Sequence, residues 1–187
     1  MNEQTLYDDV GRLSELFTVA VRRAAAEFGL LPTHLHVLHY LASCNRFSDT
    51  PSAVADYLGQ TKGPVSQTLK VLQEKDLVAK KRDNHDRRKT HLTVTKRGHK
   101  IVNHIVEIPE LRDATTHLGP TRSTEIEQAL NDLISALLQA GGASSFGRCT
   151  SCQHNQKVEG KEYFCNLLQE PLTTAETHLR CREHQPA

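Results

Sequence analysis

The stretch from Val54 to Gly98 constrains the fold of this chain more than any other. A short helix over about 51–58 is predicted to end at Gly59, because glycine readily takes the left-handed conformation that stops a helix. A second helix is expected to open near Pro64, since proline is tolerated in a first turn. Its apolar residues recur with helical spacing and predict one buried stripe, formed by Val65, Leu69 and Leu72.

The opposite face of this second helix carries short polar and basic side chains, which suit contacts with base edges and phosphates. They are Thr61, Lys62, Ser66, Gln67 and Lys70. Two alternating segments follow, at 77–81 and 90–95, with a loop rich in Arg, Asp and His between them. The pattern predicts a helix–turn–helix followed by a two-stranded basic ribbon.

Charge is concentrated in the same region. Residues 61–100 hold 12 Lys/Arg and 4 Asp/Glu, a local balance of +8 in a chain whose overall net charge is +1. A cationic element on a slightly acidic body is typical of nucleic-acid binding. A solvated charged hairpin on an unrelated globular domain is the alternative.

Three motifs resemble the MarR-type winged-helix repressors: the run Ser66–Val78, the wing signature Asp86-Arg87-Arg88, and LTVTKRG over 92–98. Their order and spacing match the family over about residues 30–100. The sequence departs from the family at Asp76, where glycine is usual, although aspartate tolerates that turn conformation better than most residues. The resemblance implies a mainly α winged-helix fold with a small β wing, and a first helix that takes part in dimerisation. Together with the last helix, this gives the expected long dimerisation helices at both ends of the domain.

DNA is therefore the expected partner. Phosphate contacts are assigned to Lys62, Lys70, Lys80, Lys81 and Lys89, and base reading to Thr61, Ser66 and Gln67. Asp86 is expected to hold Arg82, Arg87 or Arg88 by a forked ion pair. Resemblance to the family implies that this pairing directs one arginine into the minor groove and that the protein is a repressor. It also implies a small-molecule effector between the dimer helices and the DNA-binding lobe; the redox or metal state of the C-terminal cysteines is the alternative signal.

Two long helices flank the winged helix, at 5–28 and at about 120–139. Both carry more apolar residues than one small core can absorb, including Leu16, Val19 and Leu137. A two-fold homodimer built from both ends of the domain would bury them and would place two recognition helices about one DNA turn apart, on a pseudo-palindromic site.

Beyond a Gly/Ser linker at 141–147 the composition changes. Four of the five cysteines of the chain lie in 148–187: Cys149, Cys152, Cys165 and Cys181. This segment has few apolar residues, so a metal is expected to supply its folding energy. Zinc is favoured, with an iron–sulfur cluster or metal-free redox thiols as alternatives. The fifth cysteine, Cys44, is expected to be a buried packing residue.

The predicted organisation is a domain over 1–140, the linker, and a cysteine-rich module over 148–187. The N-terminus lacks the pattern of a signal peptide and no apolar run is long enough to span a membrane, so a cytoplasmic protein is expected. A thiol-redox enzyme using Cys149-x2-Cys152 is a competing hypothesis, but a thioredoxin-like motif should follow a strand and open a helix. A protein-docking zinc module is a further alternative.

Overall fold

The computed structural model describes residues 2–83, 86, 88–106, 108–158 and 162–187, with only the backbone of residues 105 and 106. The helices are α1 (Glu3–Glu27), α2 (Pro32–Ser43), α3 (Pro51–Leu58), α4 (Lys62–Glu74), α5 (Lys96–Val106), α6 (Pro109–Ala140) and the single turn α7 (Thr174–Thr177). The strands are β1 (Val78–Arg82), β2 (Thr90–Val94), β3 (Asn155–Gln156), β4 (Tyr163–Cys165) and β5 (Glu170–Leu172). The predicted mainly α fold with a small β wing is confirmed.

Local sequence signals account for the helix–turn–helix. Thr50 caps α3 by accepting a hydrogen bond from the Ala53 amide, and Gly59 ends the helix with a φ of 60°. α4 begins at Lys62, two residues before the expected Pro64, so the proline lies within the first turn. The buried residues of α4 are the predicted stripe of Val65, Leu69 and Leu72.

The wing is an antiparallel pair whose register runs from Val78 opposite Val94 to Arg82 opposite Thr90. Asp76 turns the chain from α4 into β1 with a φ of 55°, a left-handed conformation that aspartate tolerates better than most residues. Gly98 packs so closely under this turn that an added Cβ would lie 2.4 Å from the Leu77 carbonyl oxygen. A side chain at this position would collide with the Leu77 backbone, so glycine is required there.

The two long helices leave apolar side chains on the surface of the protomer. α6 breaks at Gly119, which has a φ of 76°, and none of its side chains is buried. Leu137 on α6 is 60% exposed, and Leu16 and Val19 on α1 are also exposed. No helix in the described part of the chain has the length and apolar character of a membrane span.

The cysteine-rich segment packs against the winged helix. β3, β4 and β5 form a small antiparallel sheet in that order. Phe146, inside the predicted linker, is 5% exposed and lies edge-on against Tyr40 and Tyr57, which stack on each other at 4.4 Å. The Arg180 backbone donates to the Ser43 carbonyl and accepts from the Asn45 amide, so this segment also pairs with the end of α2.

Candidate nucleic-acid interface and cysteine cluster

The predicted recognition face of α4 is exposed as one surface. Thr61, Lys62, Ser66, Gln67 and Lys70 are all exposed, opposite the buried stripe. Thr61 occupies the N-cap position, and among the described residues its hydroxyl makes no capping hydrogen bond to α4. Polar groups at the N-terminus of a helix can face a base edge or a phosphate, where the helix dipole favours the anion.

The wing adds a second basic surface beside α4. The side chains of Lys80, Lys81, Arg82, Arg88 and Lys89 are exposed. A cleft of about 950 Å³ separates wing from helix, and Lys62, Ser66, Lys80 and Lys89 line it. Candidate contacts from both elements are thus brought to one cleft.

Asp86 orients one arginine of the wing tip. Its carboxylate accepts from the Arg88 backbone amide (3.0 Å) and from Arg88 Nε (3.1 Å). These hydrogen bonds from Arg88 hold the pKa of Asp86 below its ordinary value. The Arg88 side chain remains 92% exposed, so Asp86 orients it without burying it. Arg87, the other candidate for the minor groove, lies outside the described residues.

A histidine between two carboxylates fixes the base of the wing, an arrangement that the sequence did not predict. His91 Nδ1 lies 2.6 Å from Asp49 Oδ1, and Nε2 lies 3.1 Å from Asp83 Oδ2. The hydrogen bond to Asp49 is the main cause that raises the pKa of His91, whereas burial raises the pKa of Asp49. Protonated His91 would therefore link the loop before α3 to the wing.

Three of the four C-terminal cysteines share one small cluster. Cys149 and Cys181 are buried together with Leu172, and Cys165 packs against them. A hydrogen bond from Cys149 lowers the pKa of Cys181 to about 6 and raises that of Cys149 itself. Asn45, only 1% exposed at the end of α2, donates from Nδ2 to Cys149 Sγ at 3.8 Å.

The donor chemistry of this cluster suits a thiophilic metal, because an easily ionised thiolate and neighbouring sulfurs are what zinc binds in proteins. Cys152 is close enough to Cys149 to influence its ionisation. Among the described residues, however, no three His, Cys, Asp or Glu side chains are already arranged around a common metal position. Binding would require the sulfurs of Cys152 and Cys165 to approach the Cys149–Cys181 pair.

Two other observations refine the predictions for the cysteines. Cys149, Thr150 and Ser151 form a one-turn 3-10 helix that precedes β3, so the C-x2-C segment does not open an α-helix as a thioredoxin-like motif would. Cys44 is buried, as predicted, and burial raises its pKa to about 12.

Comparison with known proteins supports the winged-helix assignment. Residues 28–89, from the end of α1 into the wing, match the sequence model of the MarR family. A MarR transcriptional regulator from Methanosarcina mazei Go1 shares the fold at a TM-score of 0.63 and 17% identity, covering 73% of this chain and 99% of that one.

Staphylococcus aureus MepR is similar in two solved structures. In its DNA-binding conformation the TM-score is 0.59 at 22% identity, with 73% of this chain and 99% of that chain covered. In a MepR–DNA complex the TM-score is 0.57 at 20% identity, with 73% and 98% covered. No curated protein matches the sequence. The chain therefore has the winged-helix fold of MarR-type regulators, and these structures leave about a quarter of it without a counterpart.

Proposed function

We propose that the protein is a sequence-specific, DNA-binding transcriptional regulator of the MarR type. The observation that carries the proposal is the exposed polar face of α4 beside the basic wing, on either side of one cleft. The structure of a MepR–DNA complex shows that a protein of similar fold binds DNA. Lysines of α4 and the wing would contact phosphates and position the protein, while Thr61, Ser66 and Gln67 would read the major groove.

The wing would supply a minor-groove contact. Arg88 is held by Asp86, stays exposed and lines the cleft between α4 and the wing. An arginine inserted into a narrow A·T-rich minor groove gains from its enhanced negative potential. Arg87 is the second candidate for the same role.

The regulator would act as a homodimer on pseudo-palindromic sites. Support comes from the unburied apolar side chains of α1 and α6, among them Leu16, Leu111, Ile134 and Leu137. Exposed apolar surface on this scale marks an interface. Two-fold symmetry makes the patch complementary to itself and pairs two recognition helices with two half-sites.

A bound dimer would repress transcription by covering promoter DNA, and a signal would release it by changing the spacing of the recognition helices. One candidate entry point for a small-molecule effector is a cleft of about 330 Å³ between α1 and the α5–α6 junction. Arg23, Glu27, His104 and Arg112 line it, which favours a polar ligand. The cysteine cluster is the other candidate for signal input.

Zinc would bind the C-terminal module through Cys149, Cys152, Cys165 and Cys181. The juxtaposed Cys149 and Cys181 and the nearby Cys165 support this assignment. Elemental analysis and a visible spectrum of anaerobically purified protein test it. Stoichiometric zinc in colourless protein is expected; iron and sulfide in brown protein would mean a cluster, and metal-free protein would leave redox thiols or a docking role for the module.

Salt-dependent binding of duplex DNA tests the main proposal. Each phosphate that the protein neutralises adds about 0.9 to the magnitude of the slope of log affinity against log salt. Arg88→Ala should therefore weaken binding and reduce that slope, while an arginine variant on α6 such as Arg122→Ala should leave the slope unchanged. An Arg88→Ala protein with wild-type affinity and slope would refute the assigned role, and absence of duplex binding by the wild type at low salt would refute the function.

A further inference from the structure

The cleft beside the recognition helix has a third wall, contributed by the C-terminal module. Leu168, Glu170, Arg182 and Glu183 line it together with the lysines of α4 and the wing. Among the described residues around the cleft, six are Lys or Arg and three are Asp or Glu, so this lining is cationic despite the acidic side chains of the module. DNA seated on α4 and the wing would pass this third wall.

Arg46, from the loop between α2 and α3, also lines this cleft, with a side chain that is 45% exposed. Its Nη1 pairs with Glu176 and its Nη2 donates to the Pro171 carbonyl oxygen at 2.8 Å. Glu170 lies farther off, at 3.7 Å, and its pair with Arg46 is solvent-exposed and correspondingly weak. A guanidinium has five N–H donors, so these contacts leave donors for another anion.

Other contacts fix the positions of Glu176 and of the Arg46 side chain. Glu176 is the third residue of α7 and reaches back to the Thr173 amide at 2.9 Å, while Thr173 caps the same turn. The Phe47 ring lies 4.5 Å below the guanidinium of Arg46. Glu176 and Pro171 belong to the C-terminal module and Arg46 belongs to the winged helix, so the module determines where the guanidinium sits.

We propose that Arg46 contacts a backbone phosphate of the bound duplex and that the C-terminal module positions it, through Glu176 and the Pro171 carbonyl, for this contact. The inference rests on the proposed function. It gives the module a place in the DNA interface, independent of which metal its cysteines bind. An arginine fixed in advance loses less conformational freedom on meeting a phosphate than a free one.

Duplex binding across a salt series tests the contact. Since a phosphate contact does not depend on base sequence, a mixed-sequence fluorescent duplex three helical turns long is a sufficient probe. Arg46→Gln, which keeps an amide donor but loses the charge, should reduce the salt slope by about 0.9 and the affinity about fivefold at low salt. Arg46→Lys should retain the slope. Arg148→Ala removes a positive charge from the module outside the cleft and should behave as wild type.

Positioning by the module is tested by a double-mutant cycle. Glu176→Gln should weaken binding in the wild-type background but have no further effect beside Arg46→Gln, because Glu176 acts through Arg46. Independent effects of the two changes would overturn the positioning role. A fall in affinity with an unchanged salt slope in Arg46→Gln would mean that Arg46 only packs the module, and would overturn the contact.

Two further readouts keep the test decisive. Circular dichroism and the urea midpoint of each variant show whether it is folded, and Arg46→Lys provides the conservative comparison if the glutamine variant is not. Wild-type protein that binds no duplex contradicts the proposed function as a whole. If the wild-type protein binds the duplex and Arg46→Gln has the same affinity and salt slope as Arg148→Ala, only this inference is contradicted.

Discussion

Truncating Phe146 should show whether the cysteine module and the winged helix unfold together. Phe146 is nearly fully buried between Tyr40 and Tyr57, whose rings lie 5.9 Å and 5.2 Å away. Replacing a buried phenylalanine by alanine costs about 3–5 kcal/mol, through lost burial and the cavity left behind. Alanine would keep the left-handed backbone at this position, where φ is 47°, so the cost is not offset by relief of strain.

The loss in the free energy of unfolding has an upper limit, which is the free energy that holds the module on the winged-helix domain. If the substitution costs more than this, the module detaches while the rest of the protein stays folded. If the two form one cooperative unit, the melting temperature should fall by about 2–4 °C for each kcal/mol lost, or roughly 6–20 °C in total. Unfolding should be followed by circular dichroism at one fixed protein concentration, since the proposed dimerisation would also contribute to stability.

Leu167→Ala provides the matched control, because Leu167 is an exposed apolar residue of the same module and its truncation should change stability by no more than about 0.5 kcal/mol. Limited trypsin digestion adds a local readout, as cleavage after Arg148 should accelerate in Phe146→Ala. If both variants melt alike and are cleaved at the same rate, Phe146 does not anchor the module and the packing described above is incorrect.

Two other predictions concern the wing. Gly98→Ala should destabilise the protein by about 1–3 kcal/mol, as for an overpacked core, because the new methyl group would meet the Leu77 carbonyl and Val94; a urea midpoint equal to wild type would contradict this. His91 has a raised pKa in the folded state, so its contribution is full below the ordinary histidine pKa of about 6.5 and is lost as pH rises through the folded value. Urea unfolding at pH 6 and pH 8 should therefore show a larger loss of stability in wild type than in His91→Asn, and equal losses would contradict the proposed bridge.

Local sequence predicted the winged helix well, because its signals act over a few residues. Helical spacing identified the buried stripe of α4, Gly59 marked the end of α3, and alternation marked the two strands. Charge density located the exposed basic face, because Lys and Arg side chains remain in water wherever the chain places them. The start of α4 was displaced by two residues, as helix boundaries often are.

Contacts between residues distant in the chain could only be learned from the tertiary structure. Asn45 meets Cys149 across 104 positions and Arg46 meets Glu176 across 130, with no periodicity or motif linking either pair. The sequence indicated that the cysteines belong together, but not that their module packs beside the cleft between α4 and the wing. Such docking depends on complementary shape and charge between folded surfaces, and those surfaces exist only after each local element has formed.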